Sequence, residues 1–356
     1  MKPALSLSFQ SEVDPAEWDG ALQGTNATCF HAARWQSFAS TSVAGRTPLF
    51  LKWCDAAGSP VAWATAAGIG THSFMASTFR RTLLLDALPA VVSEDSPATY
   101  DLLSVMLADA RDRGFVELQL EGYGSEVDKE ALEVLGFSTT PRFEFLVEVG
   151  NGETACWDGM ESKRRNKIRR ARRDGVKVLP LGPTAAADAF VHLQKETTAR
   201  IRERGGAIGD PPPPEVTHRR LSRLADGELG MLRAAQVDGA IVAVAAFGCF
   251  NGRAYYLESA ASEAGLRAQA PSLLLWEAIA ELADHGFETL NLGGCSGLAE
   301  APESPEHGLF VFKRDFGATI VQSAAGKAIL LPLRFRAGQI LRRGLGALRK
   351  LRGLQR

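Results

Sequence analysis

The sequence predicts an α/β (α+β) protein of two tandem domains, each a mixed, mostly antiparallel sheet flanked by helices. Three observations predict this. The chain has 356 residues, more than one hydrophobic core ordinarily serves. Arg113-Gly-Phe-Val-Glu-Leu-Gln-Leu120 matches His285-Gly-Phe-Glu-Thr-Leu-Asn-Leu292 at a distance of 172 residues, about half the chain. A repeat of that period marks a duplicated domain and not a solenoid. Each copy follows an amphipathic helix and, further upstream, a hairpin, so antiparallel pairs alternate with helical crossovers. The expected division is a first domain over 1–150, a second over 151–325, and a basic tail over 326–356 that packs on the first domain.

In the first half a helix is expected over 31–41. Strands over 49–53 and 61–67 are joined by Asp55-Ala-Ala-Gly58, a hairpin signal. A strand follows over 81–85. Residues 98–113 place Leu102, Leu103, Met106, Leu107 and Ala110 on one helical face, and Gly114 ends that helix. A strand over 115–120, a short helix over 129–135 stopped by Gly136, and a strand over 143–149 complete this half.

The second half opens on WDGMESKRRNKIRRARRDGVKV, residues 157–178. Eleven consecutive positions hold eight cations: Lys163, Arg164, Arg165, Lys167, Arg169, Arg170, Arg172 and Arg173. Trp157, Met160, Ile168 and Ala171 fit one face of a single helix, Gly175 stops it, and Val176 and Val178 begin a strand. Charges of one sign repel at i,i+4, so the cost of this face points to an anionic partner, with phosphate the expected anion. A long helix over 185–204 follows, then a loop over 205–215 containing four consecutive prolines. Strands over 231–237, 240–250 and 253–259 are linked by Asp238-Gly239 and Asn251-Gly252 turns. A helix over 271–284 has Pro271 near its start. The strand over 287–292 is broken by Gly293-Gly294.

Composition bounds the function. Net charge is −1, so the basic character is local. Five scattered cysteines form neither a CxxC nor a Cys/His cluster, which suggests no disulfide framework and no metal site. The N-terminus lacks a signal-peptide core, and no apolar window suffices for a transmembrane helix. Cytoplasmic location is expected, with the inner membrane surface as its variant. From residue 331 the tail holds eight cations and no acid. Leu341, Leu345, Leu348 and Leu351 share one helical face there. The tail reads as an amphipathic helix on a membrane surface, a second phosphate contact, or a frayed basic end.

Four stretches resemble the FemABX family of aminoacyl-tRNA-dependent transferases, which build peptidoglycan interpeptide bridges on duplicated GNAT-like domains. Trp157-Asp-Gly-Met160 with the basic run and Gly175-Val-Lys-Val178 is the first, and it is shared with CelD-like acetyltransferases. Glu196-Thr-Thr-Ala-Arg200 is the second. Leu257-Glu-Ser-Ala-Ala-Ser262 followed by Pro271-Ser-Leu-Leu-Leu-Trp276 is the third. Gly308-Leu-Phe-Val-Phe-Lys-Arg-Asp-Phe-Gly317, the most specific, resembles the family's "G.Y.FK..FG" signature. The chain departs from the family in lacking room for a coiled-coil insertion and in carrying Ser40 where a Trp follows Gln36-Ser37.

The resemblance implies acyl transfer from aminoacyl-tRNA to an amine acceptor, a cell-wall precursor or a peptide natural product, with no tightly bound cofactor. An aminoacyl ester is already activated, so the reaction needs positioning and charge stabilisation, not a covalent nucleophile. Lys313 is assigned that electrostatic role, the bland alternative being a surface Lys on a strand, with Phe312 packing on the donor's terminal adenine. Arg200, Tyr256 and Arg267 are assigned to substrate binding, with Tyr255 an alternative to Tyr256. Lys163, Arg164, Arg165, Lys167, Arg169 and Arg170 are assigned to the tRNA backbone. The alternative donor is acetyl-CoA, in an N-acyltransferase for polysaccharide or envelope assembly. Arg267-Ala-Gln-Ala-Pro-Ser272 stands where CoA sites carry a glycine-rich turn, and Pro271 removes one N–H. A third reading is a non-catalytic RNA- or membrane-binding module.

Overall fold

The computed structural model describes residues 5–40, 45–70, 79–92, 98–206, 208–226 and 229–353. Residue 41 of the expected first helix, residue 207 of the expected proline loop and residues 354–356 of the tail lie outside it. In chain order the elements are β1 (Ser6–Gln10), α1 (Pro15–Ala21), α2 (Ala33–Ser40), β2 (Arg46–Cys54), β3 (Pro60–Ile69), β4 (Thr82–Leu85), β5 (Ala90–Val91), α3 (Thr99–Asp112), β6 (Glu117–Leu120), α4 (Lys129–Val134) and β7 (Phe137–Val147). They continue with α5 (Glu153–Gly159), α6 (Ser162–Arg173), β8 (Lys177–Pro180), α7 (Pro183–Glu203), α8 (Pro214–Asp226), β9 (Gly230–Val237), β10 (Ala240–Phe250), β11 (Arg253–Ala261), α9 (Glu263–Arg267), α10 (Ala270–Asp284), β12 (Thr289–Ser296), α11 (His307–Arg314), β13 (Thr319–Ile329) and α12 (Pro332–Gly353).

These form two compact units, one of Met1–Asp14, Val43–Thr140 and Ala324–Arg356, the other of Pro15–Ser42 and Pro141–Ser323. The boundaries expected after 150 and 325 therefore fall after 140 and 323, and the tail belongs to the first unit. The segment 15–42 joins the second unit for a local reason. Asn251 Nδ2 donates to the carbonyls of Leu22 (3.3 Å) and Thr25 (2.9 Å), and Phe30 meets the Tyr255 ring edge-to-face at 4.7 Å.

The first unit's sheet runs β1-β2-β3-β4-β6-β13, with β5 on β3, around a core of Trp53, Leu83, Leu85, Leu102, Met106 and Phe115. The second unit's sheet runs β7-β12-β11-β10-β9-β8 around Phe145, Ile168, Phe247, Leu275, Trp276 and Phe310. Each has one parallel pair flanked by antiparallel ones, β4 with β6 and β11 with β12. In each, the helix between the parallel strands is the one preceding the sequence repeat. The repeat is a chain-reversal device, and both copies build it alike. After α3, Gly114 N–H donates to Arg111 and Phe115 N–H to Ala110; after α10, Gly286 N–H donates to Ala283 and Phe287 N–H to Leu282. The glycine takes the left-handed conformation that closes the helix and drops the chain into the next strand.

Each unit also borrows a strand. β6 of the first unit is flanked by residues 326–329 of β13, and β12 of the second by residues 142–147 of β7. The long-range repeat therefore describes two copies whose closing strands have changed places.

Three expectations are corrected. The basic stretch is not one helix: α5 ends at Gly159, Met160 is extended (φ −71, ψ 151), and α6 starts at Ser162. Trp157 and Met160 thus lie outside the charged helix, although both pack into the second core. Gly293-Gly294 does not end a strand. β12 runs through it, with residues 292 and 293 opposite a single residue of β7, a bulge that the positive φ of Gly293 (73°) permits. The prolines do not exclude a helix, since α8 begins at Pro214, the first-turn position where a missing N–H costs nothing. Neither α8 nor β1 nor β13 is anticipated by periodicity.

Gly286 has φ +74° and open space where a Cβ would sit. Gly286→Ala should therefore cost about 1 kcal/mol through backbone conformation alone, read as a lower urea midpoint at unchanged slope.

Candidate active site

The parallel pairing of β11 and β12 is short. It covers Arg253–Thr289, Ala254–Leu290 and Tyr255–Asn291 and then stops, although β11 continues to Ala261 and β12 to Ser296. Each strand carries a bulge where the pairing ends. On β11, Leu257 is the extra residue between the Ala246–Glu258 and Phe247–Tyr256 pairs; on β12 the extra residue lies between Asn291 and Gly294. Bulges aim backbone groups and side chains away from the regular ladder, so the strands part just beyond Tyr255 and Asn291, next to Gly293.

Glu144 of β7 organises the polar groups there. It is buried to 1% exposure and accepts from Tyr255 Oη (3.1 Å), Asn291 Nδ2 (2.6 Å) and Arg142 Nη2 (3.1 Å). Asn291 Oδ1 accepts from Gly293 N–H at 2.8 Å, which fixes the amide's orientation and holds the bulge. A buried carboxylate with this many donors is a stable anchor.

Lys313 reaches the same place from α11. The residue sits on a helix, not a strand, and is 5% exposed. Its Nζ donates to Gly294 C=O at 2.9 Å, and the Phe145 ring lies 5.9 Å away. A Cβ added to Gly293 would stand 3.5 Å from both Lys313 Nζ and Tyr255 Oη, so the glycine leaves open the space these groups face. Burial lowers the Lys313 ammonium to about 8, against the supporting field of the Glu144 carboxylate. Burial also pushes the Cys295 thiol up to about 11, so this sulfur is a protonated neighbour and not a nucleophile.

The remaining sequence-assigned residues separate into groups. Phe312 is half-buried, its ring 4.5 Å from the Arg164 guanidinium and edge-to-face with Phe316 at 5.3 Å. Tyr256 stacks on Phe247 at 5.2 Å, and burial pushes its phenol up to about 12; Tyr255 is the tyrosine joined to the site. Arg200 donates to Ala261 C=O (3.2 Å) and Thr197 Oγ1 (3.4 Å), tying α7 to the end of β11. Arg267 is exposed and paired with Glu263 one turn earlier.

Helix α6 is less free than its composition suggests. Arg164 is buried, donating to Ser272 Oγ at the start of α10 (2.8 Å) and to Phe312 C=O (3.1 Å). Arg165 folds back onto the carbonyls of Trp157 (3.2 Å) and Asp158 (2.9 Å) at the end of α5, the favourable end for a cation. Both cations are thus engaged inside the unit, Arg164 fully buried and Arg165 half-buried. Asp315 takes Lys163 (3.3 Å) and Arg314 (3.0 Å), Asp174 takes Arg170 (3.2 Å), and Glu277 takes Arg172 (2.8 Å). Repulsion along the helix is thus answered by acids from outside it. Lys163, Lys167, Arg169 and Arg170 still present exposed side chains. Burial, Arg164 and Lys163 hold Lys167 below the usual lysine range.

Glu144, Asn291 and Arg142 were not singled out by sequence reasoning. One signal was available: Asn291 and its repeat counterpart Gln119 are amides at the same place in the two copies, each between two leucines.

Residues 162–314 match the family model described as the acetyltransferase (GNAT) domain. No curated protein matches the chain by sequence. Among solved structures the fold is similar to FemX, with a TM-score of 0.73 and 14% identity over 93% of this chain and 99% of that one. It is similar also to L-PGS from Bacillus licheniformis, with a TM-score of 0.54 and 13% identity over 93% and 97%. A tandem GNAT protein from the clavulanic acid biosynthesis pathway gives a TM-score of 0.50 and 10% identity over 92% and 99%. At these identities the structures speak to fold, and the family match speaks to the domain that holds Lys313 and the parted strands. The chain is an acyltransferase with a GNAT domain over residues 162–314, and its overall fold is similar to that of FemX.

Proposed function

We propose that the protein transfers an aminoacyl group from a charged tRNA to an amine acceptor, with Lys313 as the charge-stabilising residue. The observation that carries this reading is the buried Lys313 ammonium held at the parting of β11 and β12. The acceptor amine arrives neutral and attacks the ester carbonyl. A C–N bond forms, the bond to the ribose 3′-oxygen breaks, and the proton released by the amine ends on that oxygen. Negative charge develops first on the carbonyl oxygen and then on the leaving oxygen. A buried ammonium next to either stabilises it strongly, because no water competes. Tyr255 and Asn291, fixed by Glu144, line the same opening and orient the reacting groups. Exposed Lys163, Lys167, Arg169 and Arg170 lie on α6, which Asp315 joins to the end of α11, and would meet the donor's phosphates. The similarity of the whole chain's fold to FemX is consistent with this chemistry.

The start of α10 argues against acetyl-CoA as donor. A CoA pyrophosphate needs free backbone N–H groups at that helix start. Here Pro271 has none, Ser272 and Leu273 N–H donate to Gln269 C=O, and the Ser272 hydroxyl is taken by Arg164. These residues do not fit a pyrophosphate.

Two measurements test the reading. Combined Lys167→Gln, Arg169→Gln and Arg170→Gln substitutions should weaken tRNA binding and reduce the slope of log affinity against log salt by about 2. Tight acetyl-CoA binding by a protein without RNA affinity would instead sink the tRNA donor. For Lys313, the folded ammonium titrates near 8 against an ordinary 10.5. Its burial then costs of order 3 kcal/mol below pH 8, a cost relieved as pH rises from 8 to 10.5. Turnover of an acceptor whose own amine titrates below pH 7 should accordingly decline above pH 8, as the ammonium is lost. Lys313→Met should lower turnover by more than about 100-fold and remove the alkaline gain in stability. A rate that climbs through pH 8 would make Lys313 a proton acceptor.

A further inference from the structure

The helix α12 of the first unit has two faces of opposite character. One face docks. Gly338 is buried, and a Cβ there would stand 2.6 Å from the Phe79 carbonyl; Phe335, Gln339 and Arg342 help line a cavity of about 340 Å³ above β6 and β13. The other face is left to solvent, and it is apolar. Leu333 is 81% exposed, Ile340 70% and Leu341 44%. At 100° per residue, Leu333, Ala337, Ile340 and Leu341 fall within one stripe, and the sequence continues that period through Gly344, Leu348 and Leu351. Arg336 lies on one side of the stripe and Arg334 on the other, both exposed. From residue 331 onward there are eight cations and no acid.

Helix formation does not require exposing leucine and isoleucine on the solvent side of a docked helix. An apolar stripe rimmed by arginine suits a surface that offers hydrocarbon beneath anionic headgroups. A nucleic acid would use the arginines and leave Leu333, Ile340 and Leu341 in water. A second copy of this chain would present the same cations in return, because an isologous contact sets like against like. We infer that α12 is an interfacial helix that docks the protein on an anionic lipid bilayer, with Leu333, Ile340 and Leu341 entering the headgroup boundary and the arginines meeting lipid phosphates. No helix among the described residues is long and apolar enough to cross a membrane, so the contact is peripheral. The inference does not depend on which acyl donor the second unit uses.

The test is co-sedimentation of the full chain with vesicles of phosphatidylcholine containing one quarter phosphatidylglycerol, and with pure phosphatidylcholine vesicles. The protein should pellet with the first and remain in solution with the second. Combined Leu333→Ser, Ile340→Ser and Leu341→Ser should reduce the bound fraction more than about tenfold, and so should combined Arg334→Gln and Arg336→Gln. All five side chains are exposed, so the variants should keep the parent melting temperature, which confirms folding. The inference is overturned if the anionic vesicles do not pellet the protein, or if the serine variant still binds them like the parent. It is equally overturned if saturating tRNA displaces the protein from the vesicles while the serine substitutions change nothing, which would mark a phosphate contact by charge alone. A dimer in gel filtration that the serine substitutions dissolve would assign the stripe to a second copy and overturn it too.

Discussion

The second unit turns on a single carboxylate. Asp315, its side chain 2% exposed at the end of α11, sits among Lys163 and Arg164 of α6 and its own neighbour Arg314, while its backbone carbonyl receives Glu161 N–H. A buried charge is tolerated only when it is paired and hydrogen-bonded, and here the pairing also serves the cations. Without Asp315, the first turn of α6 would set the buried Arg164 guanidinium against an apolar core with no counter-charge. With it, the helix start is fixed to the segment that carries Lys313. The same helix sends Arg164 onward to Ser272, so α6, α10 and α11 meet at one guanidinium lying between the rings of Phe312 and Phe316.

That framework allows a costly group to be kept. The lysine at the parted strands is surrounded by the Gly294 carbonyl, an aromatic face and a carboxylate already engaged by three donors, none of which pairs it fully. An ammonium so placed is held near neutrality and retains unspent capacity for a new anion. Local instability of this kind marks sites of chemistry more than sites of packing. The two bulges serve the same end, since a continuous parallel ladder through Leu257 and Gly293 would have closed the opening with backbone hydrogen bonds.

Much of this was legible in the chain. The duplicated Gly-Phe turn gave the parallel crossover of each unit because a left-handed glycine after an amphipathic helix has few other uses. Lys313 stood out through its motif. What the linear order concealed was partnership. Besides the adjacent Asp174, the acids that answer α6 are Asp315 and Glu277, more than 100 residues away, so its run of cations looked freer than it is. Glu144 and Asn291 are 147 residues apart and reveal their role only when β7 lies beside β12. Gly293-Gly294 looked like a strand break because a bulge and a terminus ask for the same residue.

The exchanged strands have a consequence for how the molecule comes into being. The sheet of the first unit is closed by residues 326–329, made after the whole of the second unit's sheet, while that of the second takes residues 142–147, made before the rest of it. Neither half of the gene encodes a self-sufficient sheet. The first unit must wait, with one edge of β6 bare, until residues 326–329 exist. Cutting the chain at its apparent midpoint would leave each fragment with an open edge and a strand belonging elsewhere, and duplicated though the halves are, they mature together.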